Sequence, residues 1–131
     1  MKIVADTNTF LAVALDEPEK QALIRATAGH ALVAPAVLPY EIGNALSALA
    51  RRKIITDTQL TGIWDAAELI PVELAAVVVR AALLLAAHFG LYAYDAYFLQ
   101  CAQDTKCPLL TLDRKLQQVA EELNIKLVRL L

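Results

Sequence analysis

Glycine and proline are scarce in this chain, with four and five copies in 131 residues, and no stretch is rich in proline, serine or charge. A linker, a disordered tail and a low-complexity arm are therefore not expected. No domain boundary suggests itself, so residues 1–131 are read as one domain, and a hydrophobic share of 58% supplies a substantial core. An excess of basic charge is also missing. The formal charge of −2 and a pI near 5.6 exclude a protein that holds nucleic acid through a broadly basic surface, so any such contact has to be local. The two cysteines, Cys101 and Cys107, lack metal-type spacing and a nearby His pair, and are read as reduced thiols. Asp6 interrupts the N-terminal apolar run too early for a secretory signal, which makes a cytoplasmic location the default expectation. The most apolar stretch, 74–91, carries Arg80 and His88 and starts beside Glu73. A continuous membrane span of about 20 residues is thus absent, and the stretch reads as a helix buried on two sides or as a homodimer interface.

Strand and helix patterns alternate along the chain. KIVA (2–5), ALVA (31–34), PLLTL (108–112) and the closing IKLVRL (125–130) have strand character. Helices are expected after Asp6, near 18–28 behind Pro18 and Glu19, through VLPYEIGNALSALARRK, after an N-cap at Thr56, near 73–89, at 94–105 and from about 114. Strands separated by helices imply an α/β fold with a mostly parallel central sheet flanked by helices, in three layers α/β/α. Ligand sites in such sheets form beyond the carboxyl ends of the strands, where Asp6 and Asp113 fall.

Four acids sit where a strand or turn passes into a helix or near its start: Asp6 in KIVADTN, Glu41 in LPYEIGNAL, Asp95 in YAYDAYFLQ and Asp113 in LLTLDRKL. Each has an ordinary explanation. Asp6 and Asp113 suit helix N-caps, and Asp95 suits the helix dipole in a first turn. Asp95 also has Phe98 and Leu99 three and four residues on, so its carboxylate leans toward an apolar face and needs a partner. Glu41 shares a helical stripe with Asn44, Ala48 and Arg51, which is compatible with a solvated face. Brought together, the four carboxylates would instead form a cage for one or two hard cations, Mg²⁺ or Mn²⁺, of the kind that activates water against a phosphodiester. So crowded, they would repel and titrate as a coupled set.

An N-terminal strand ending in Asp-Thr-Asn, a helical Glu with Asn three residues later, a Tyr-Asp-Ala opening a late helix and a Leu-Thr-x-Asp after a late strand together resemble the pattern of PIN-domain ribonucleases. Length, order and spacing are similar in particular to the small VapC-type toxins of prokaryotic toxin–antitoxin pairs. The resemblance implies Mg²⁺- or Mn²⁺-dependent cleavage of RNA, a homodimer and a cognate antitoxin. By position it makes Asp6, Glu41 and Asp95 the core acids, Asp113 the fourth, and Asn8 and Thr111 nearby polar groups that orient carboxylates or touch phosphate. A catalytically silent PIN-like binding module is the alternative of a different class.

Arg51, Arg52 and Lys53 form the only basic cluster. Helix C-terminal charge explains it, and Arg51 also lies on the Glu41 stripe, where it suits a phosphate contact. Arg114 and Lys115, just after Asp113, are nearer candidates for that role. His30 and His88 show no catalytic spacing. Trp64, Tyr92, Tyr94 and Tyr97 are read as packing rather than base stacking, and Tyr40 fits either.

Overall fold

The computed structural model describes residues 1–130; Leu131, the last residue of the expected 1–131 domain, lies outside the described residues. Four strands, β1 (Lys2–Ala5), β2 (Ala31–Pro35), β3 (Glu73–Ala75) and β4 (Leu109–Leu110), form an all-parallel sheet in the order β3-β2-β1-β4. Seven described helices flank it: α1 (Thr7–Ala14), α2 (Lys20–Thr27), α3 (Leu38–Arg51), α4 (Asp57–Glu68), α5 (Val79–Phe89), α6 (Ala93–Thr105) and α7 (Arg114–Glu122). Helices α1 to α4 pack on one another, while α5 to α7 form a second group in which α6 also lies against β1 and β2. This is the three-layer α/β/α arrangement that strand–helix alternation implies.

The central strand is the apolar KIVA segment. Val4 stands opposite Val33 on one side and Leu109 on the other, and Ile3, Val4, Ala34, Leu109 and Leu110 are all at most 1% exposed. Strands covered on both faces carry continuous apolar runs because neither face meets water. Leu38, Ile42 and Leu46 from α3 and Phe98 and Leu99 from α6 belong to the same buried core.

Three elements differ from the sequence expectation. Residues 73–75 are a strand, not the first turn of a helix, and α5 starts only at Val79. The short segment satisfies its backbone against β2, pairing Val33 with Glu73 and Pro35 with Ala75, a long-range gain that helical periodicity cannot register. PLLTL contracts to Leu109–Leu110, and the closing IKLVRL segment makes an isolated parallel bridge, Leu109 to Leu127, rather than a full strand. Finally, α5 is not buried on two sides: Leu83 and Leu84 are 49% and 68% exposed and Ala82 is its one fully buried residue. Gly90 ends this helix in the left-handed conformation, φ 64°, which costs glycine nothing. No single described helix is long and apolar enough to cross a membrane, and α5 and α6 are bent by 116° at their junction.

Thr56 caps α4 as its position implies. Its hydroxyl accepts from the Gln59 N–H at 3.1 Å and the Gln59 carboxamide accepts from the Thr56 N–H at 2.8 Å. Thr56→Ala removes half of this reciprocal pair and is expected to lower unfolding free energy by about 1 kcal/mol; urea titration reads it, and an unchanged midpoint would show that α4 needs no cap.

Candidate active site

Asp6 follows the carboxyl end of β1, where the chain turns into α1. As the N-cap of that helix it accepts from the Thr9 N–H at 3.2 Å through Oδ1, and its Oδ2 accepts from the Thr111 hydroxyl. Only 5% of Asp6 is exposed. Asp113 caps α7 in the same way, accepting from the Leu116 N–H at 3.1 Å. Thr111 joins the two, because its oxygen also accepts from the Asp113 N–H at 3.1 Å. The capping explanation is therefore satisfied, and the caps are what fix these two carboxylates at the ends of adjacent strands. Glu41 lies in the first turn of α3 and accepts from the Thr7 hydroxyl at 2.5 Å. Asp95 occupies the first turn of α6.

These elements enclose a cleft of about 280 Å³ lined by Asp6, Thr7, Asn8, Glu41, Asn44 and Asp95, with Tyr92 and Tyr94 on its wall. Three of the four acids picked from sequence thus meet at one cleft, as do Asn8 and Asn44. Thr111 is buried behind Asp6. Asp113 is exposed and outside the lining, yet its charge raises the pKa of both Asp6 and Asp95. Arg51 and Arg114 are exposed and do not line the cleft. Tyr92 and Tyr94, expected to pack, are 84% and 50% exposed instead, because both stand at the solvent-facing start of α6. Thr7 escaped the sequence reading. Its partner Glu41 is 34 residues away, so spacing gave no hint of it; the one local signal was its place directly after Asp6.

The electrostatics of the cleft are those of crowded acid with no ion pair. Burial pushes the Asp6 carboxyl up to about 6, against the hydrogen bonds from Thr111 and Thr9 and with help from the Asp113 and Asp95 charges. Burial likewise raises Glu41, opposed by Thr7 and reinforced by Asp95. Asp95 is raised by burial and by Asp113, and lowered by Lys115. The described ion pairs, Lys2–Glu73, Lys20–Asp16 and Arg129–Glu121, all lie elsewhere. Lys115 donates to the Gly90 carbonyl at 3.1 Å rather than to a carboxylate. An all-oxygen donor set suits a hard cation, and each bonded carboxylate oxygen retains a free lone pair. As the side chains lie, no three His, Cys, Asp or Glu residues among those described are close enough together to hold one ion. The acids ring the cleft and share its field without converging on a point.

A family model for the PIN domain matches residues 3–122. Ribonuclease VapC3 of Pyrobaculum aerophilum is 29% identical over 123 residues, spanning 90% of this chain and 94% of that protein. The crystal structure of PAE2754, also from Pyrobaculum aerophilum, superposes with a TM-score of 0.64 at 25% identity, covering 91% of this chain and 87% of the other. The toxin–antitoxin structure VapBC2 from Rickettsia felis, bound to a DNA fragment from its promoter, reaches 0.67 at 15% identity over 97% of both chains, a likeness of fold. With the family model spanning the sheet and the four acids, the chain belongs to the PIN domain family.

Proposed function

We propose that this chain is a divalent-metal-dependent endoribonuclease and the toxin of a toxin–antitoxin pair. The observation that carries the reading is the cleft where Asp6, Glu41 and Asp95 meet without an ion-pair partner, in a PIN fold. The ribonuclease name of a relative of nearly equal length adds to it. The reading takes residues 1–131 as one nuclease domain acting in the cytoplasm.

Asp6, Glu41 and Asp95 would hold the cation, and Asp113, exposed outside the cleft lining, would position a second ion or the attacking water. When bound, Mg²⁺ or Mn²⁺ supplies Lewis acidity that makes water a competent nucleophile at neutral pH and offsets charge on the phosphodiester. Asp6 is the fixed member, held between Thr9 and Thr111 in the core. The Thr7 hydroxyl orients Glu41. Asn8 and Asn44, exposed at the cleft, offer amide donors to phosphate or ribose oxygens, and Asp113 at the outer edge orients the attacking water. Arg114 and Arg51 lie further out, where a cation positions flanking phosphates without reading sequence.

Partners follow from apolar surface. Val79, Leu83 and Leu84 on α5 are about half or more exposed and form the face offered to a second copy of the chain. A groove of about 290 Å³ lined by Phe10, Val13, Leu23, Ile24, Leu69 and Ile70 suits an amphipathic helix of the antitoxin. An antitoxin arginine pairing with the cleft carboxylates would silence the site.

The test is cleavage of a cellular small-RNA pool with Mg²⁺, Mn²⁺ or EDTA, beside melting curves in the same buffers. Cutting is expected only with cation, and Mn²⁺ is expected to raise Tm by several degrees, because a ligand of the native state stabilises it. Folded protein that neither cuts nor gains stability would be a silent binding module instead.

A further inference from the structure

Two of the chain's four tyrosines stand in solvent on the wall of the acidic cleft. Tyr92 is 84% exposed and Tyr94 is 50% exposed, and both line the same space as Asp6, Glu41 and Asp95. Neither ring serves the core. Tyr92 is the N-cap residue of α6 and makes no side-chain cap bond. Tyr94 makes an edge-to-face pair with half-buried Tyr97, ring centroids 6.0 Å apart at 79°, which fixes its ring direction without covering it. An aromatic ring kept in water beside a phosphodiester-cutting cleft has an obvious flat counterpart, since every nucleobase has a π-face.

We propose that Tyr92 and Tyr94 form a nucleobase platform, so that the site takes unpaired RNA whose bases beside the scissile bond are splayed from the stack and seated on these rings. The inference rests on the ribonuclease reading and names the side chains that seat the substrate's bases. The chain's weak positive field requires such a device: with a net charge of −2 and acids in the cleft, phosphate attraction alone holds RNA poorly. Stacking does not depend on phosphate charge, tolerates sequence and rejects a duplex whose bases are already stacked. Asp95 follows directly after Tyr94 in the first turn of α6, so this one helix start carries both the platform and a carboxylate of the cleft.

The test compares wild type with Tyr92→Ala, Tyr94→Ala, Tyr94→Leu and Tyr94→Phe on the RNAs that wild type cuts from a cellular small-RNA pool. Single-stranded oligonucleotides of those sequences carry 2-aminopurine at successive positions, and their fluorescence in EDTA reads binding apart from cutting. Each alanine variant is expected to raise KM roughly tenfold or more, the loss that removing one stacked base brings. Tyr94→Leu is expected to fail like alanine and Tyr94→Phe to behave as wild type. Quenching of 2-aminopurine is expected next to the cut bond and lost in the alanine variants, and annealing the complementary strand is expected to stop cutting. Alanine and leucine variants with unchanged KM and quenching would overturn the platform while leaving the ribonuclease standing, and would hand the rings to a protein partner. A wild type that cuts no RNA would overturn the ribonuclease reading and the platform with it.

Discussion

Asp95→Asn is expected to lose RNA cleavage by more than about 100-fold while melting close to the wild type. Replacing the groups that merely support metal ligands already costs about 10–100-fold, and this change removes negative charge from a side chain at the cleft itself. Asparagine is nearly the same size, and Asp95 is half-buried and makes no cap bond, so the helix loses little beyond a favourable dipole contact. Single-turnover cleavage at saturating Mn²⁺ measures the chemical step. A variant that cuts at the wild-type rate would remove Asp95 from the site.

Asp6→Asn is expected to abolish cleavage and, unlike most changes to a buried residue, to stabilise the cation-free protein at neutral pH. The Asp6 carboxyl is raised from its ordinary 3.8 to about 6, so between those values the folded chain binds more protons than the unfolded one. Stability without cation is then highest below about pH 4 and falls as pH rises through 6, by up to roughly 3 kcal/mol from this group. Glu41 and Asp95 are raised too and push in the same direction. Asparagine keeps the cap to α1 and removes the buried charge. Urea unfolding in EDTA at about pH 4.5 and 7.5 should show the wild type losing stability and the variant losing much less. Equal losses would mean that Asp6 is not the source. Bound cation relieves the same repulsion, so Mn²⁺ should restore much of what the wild type loses at neutral pH.

Strands and helices with a strong local pattern were legible in the sequence; of the four acids, three share a cleft, while Asp113 stands outside its lining and no three converge on one point. KIVA and ALVA are apolar because both their faces are covered, and Thr56 with Gln59 announces a helix start on spacing alone. Residues 73–75 carry a helical local pattern yet form a strand because that state depends on β2, some 40 residues earlier. Alanine and leucine around the whole of α5 suggested burial, but composition does not say whether the chain supplies the cover. Asp6, Glu41 and Asp95 meet because α1, α3 and α6 all begin at the same end of the sheet. Thr7 and the exposure of Tyr92 and Tyr94 were invisible for the converse reason: each depends on what another element leaves open.

The Thr111 hydroxyl that holds Asp6 comes from 105 residues further along, and β4 is the last strand to join the central one. A ribosome making this chain therefore releases β1 long before its second neighbour exists. Until residues 109–111 emerge, β1 has one open side, Asp6 lacks its anchor and, for most of that time, Asp95 has not been made. The cleft that Asp6, Glu41 and Asp95 share thus takes its final form only after β4 has joined β1.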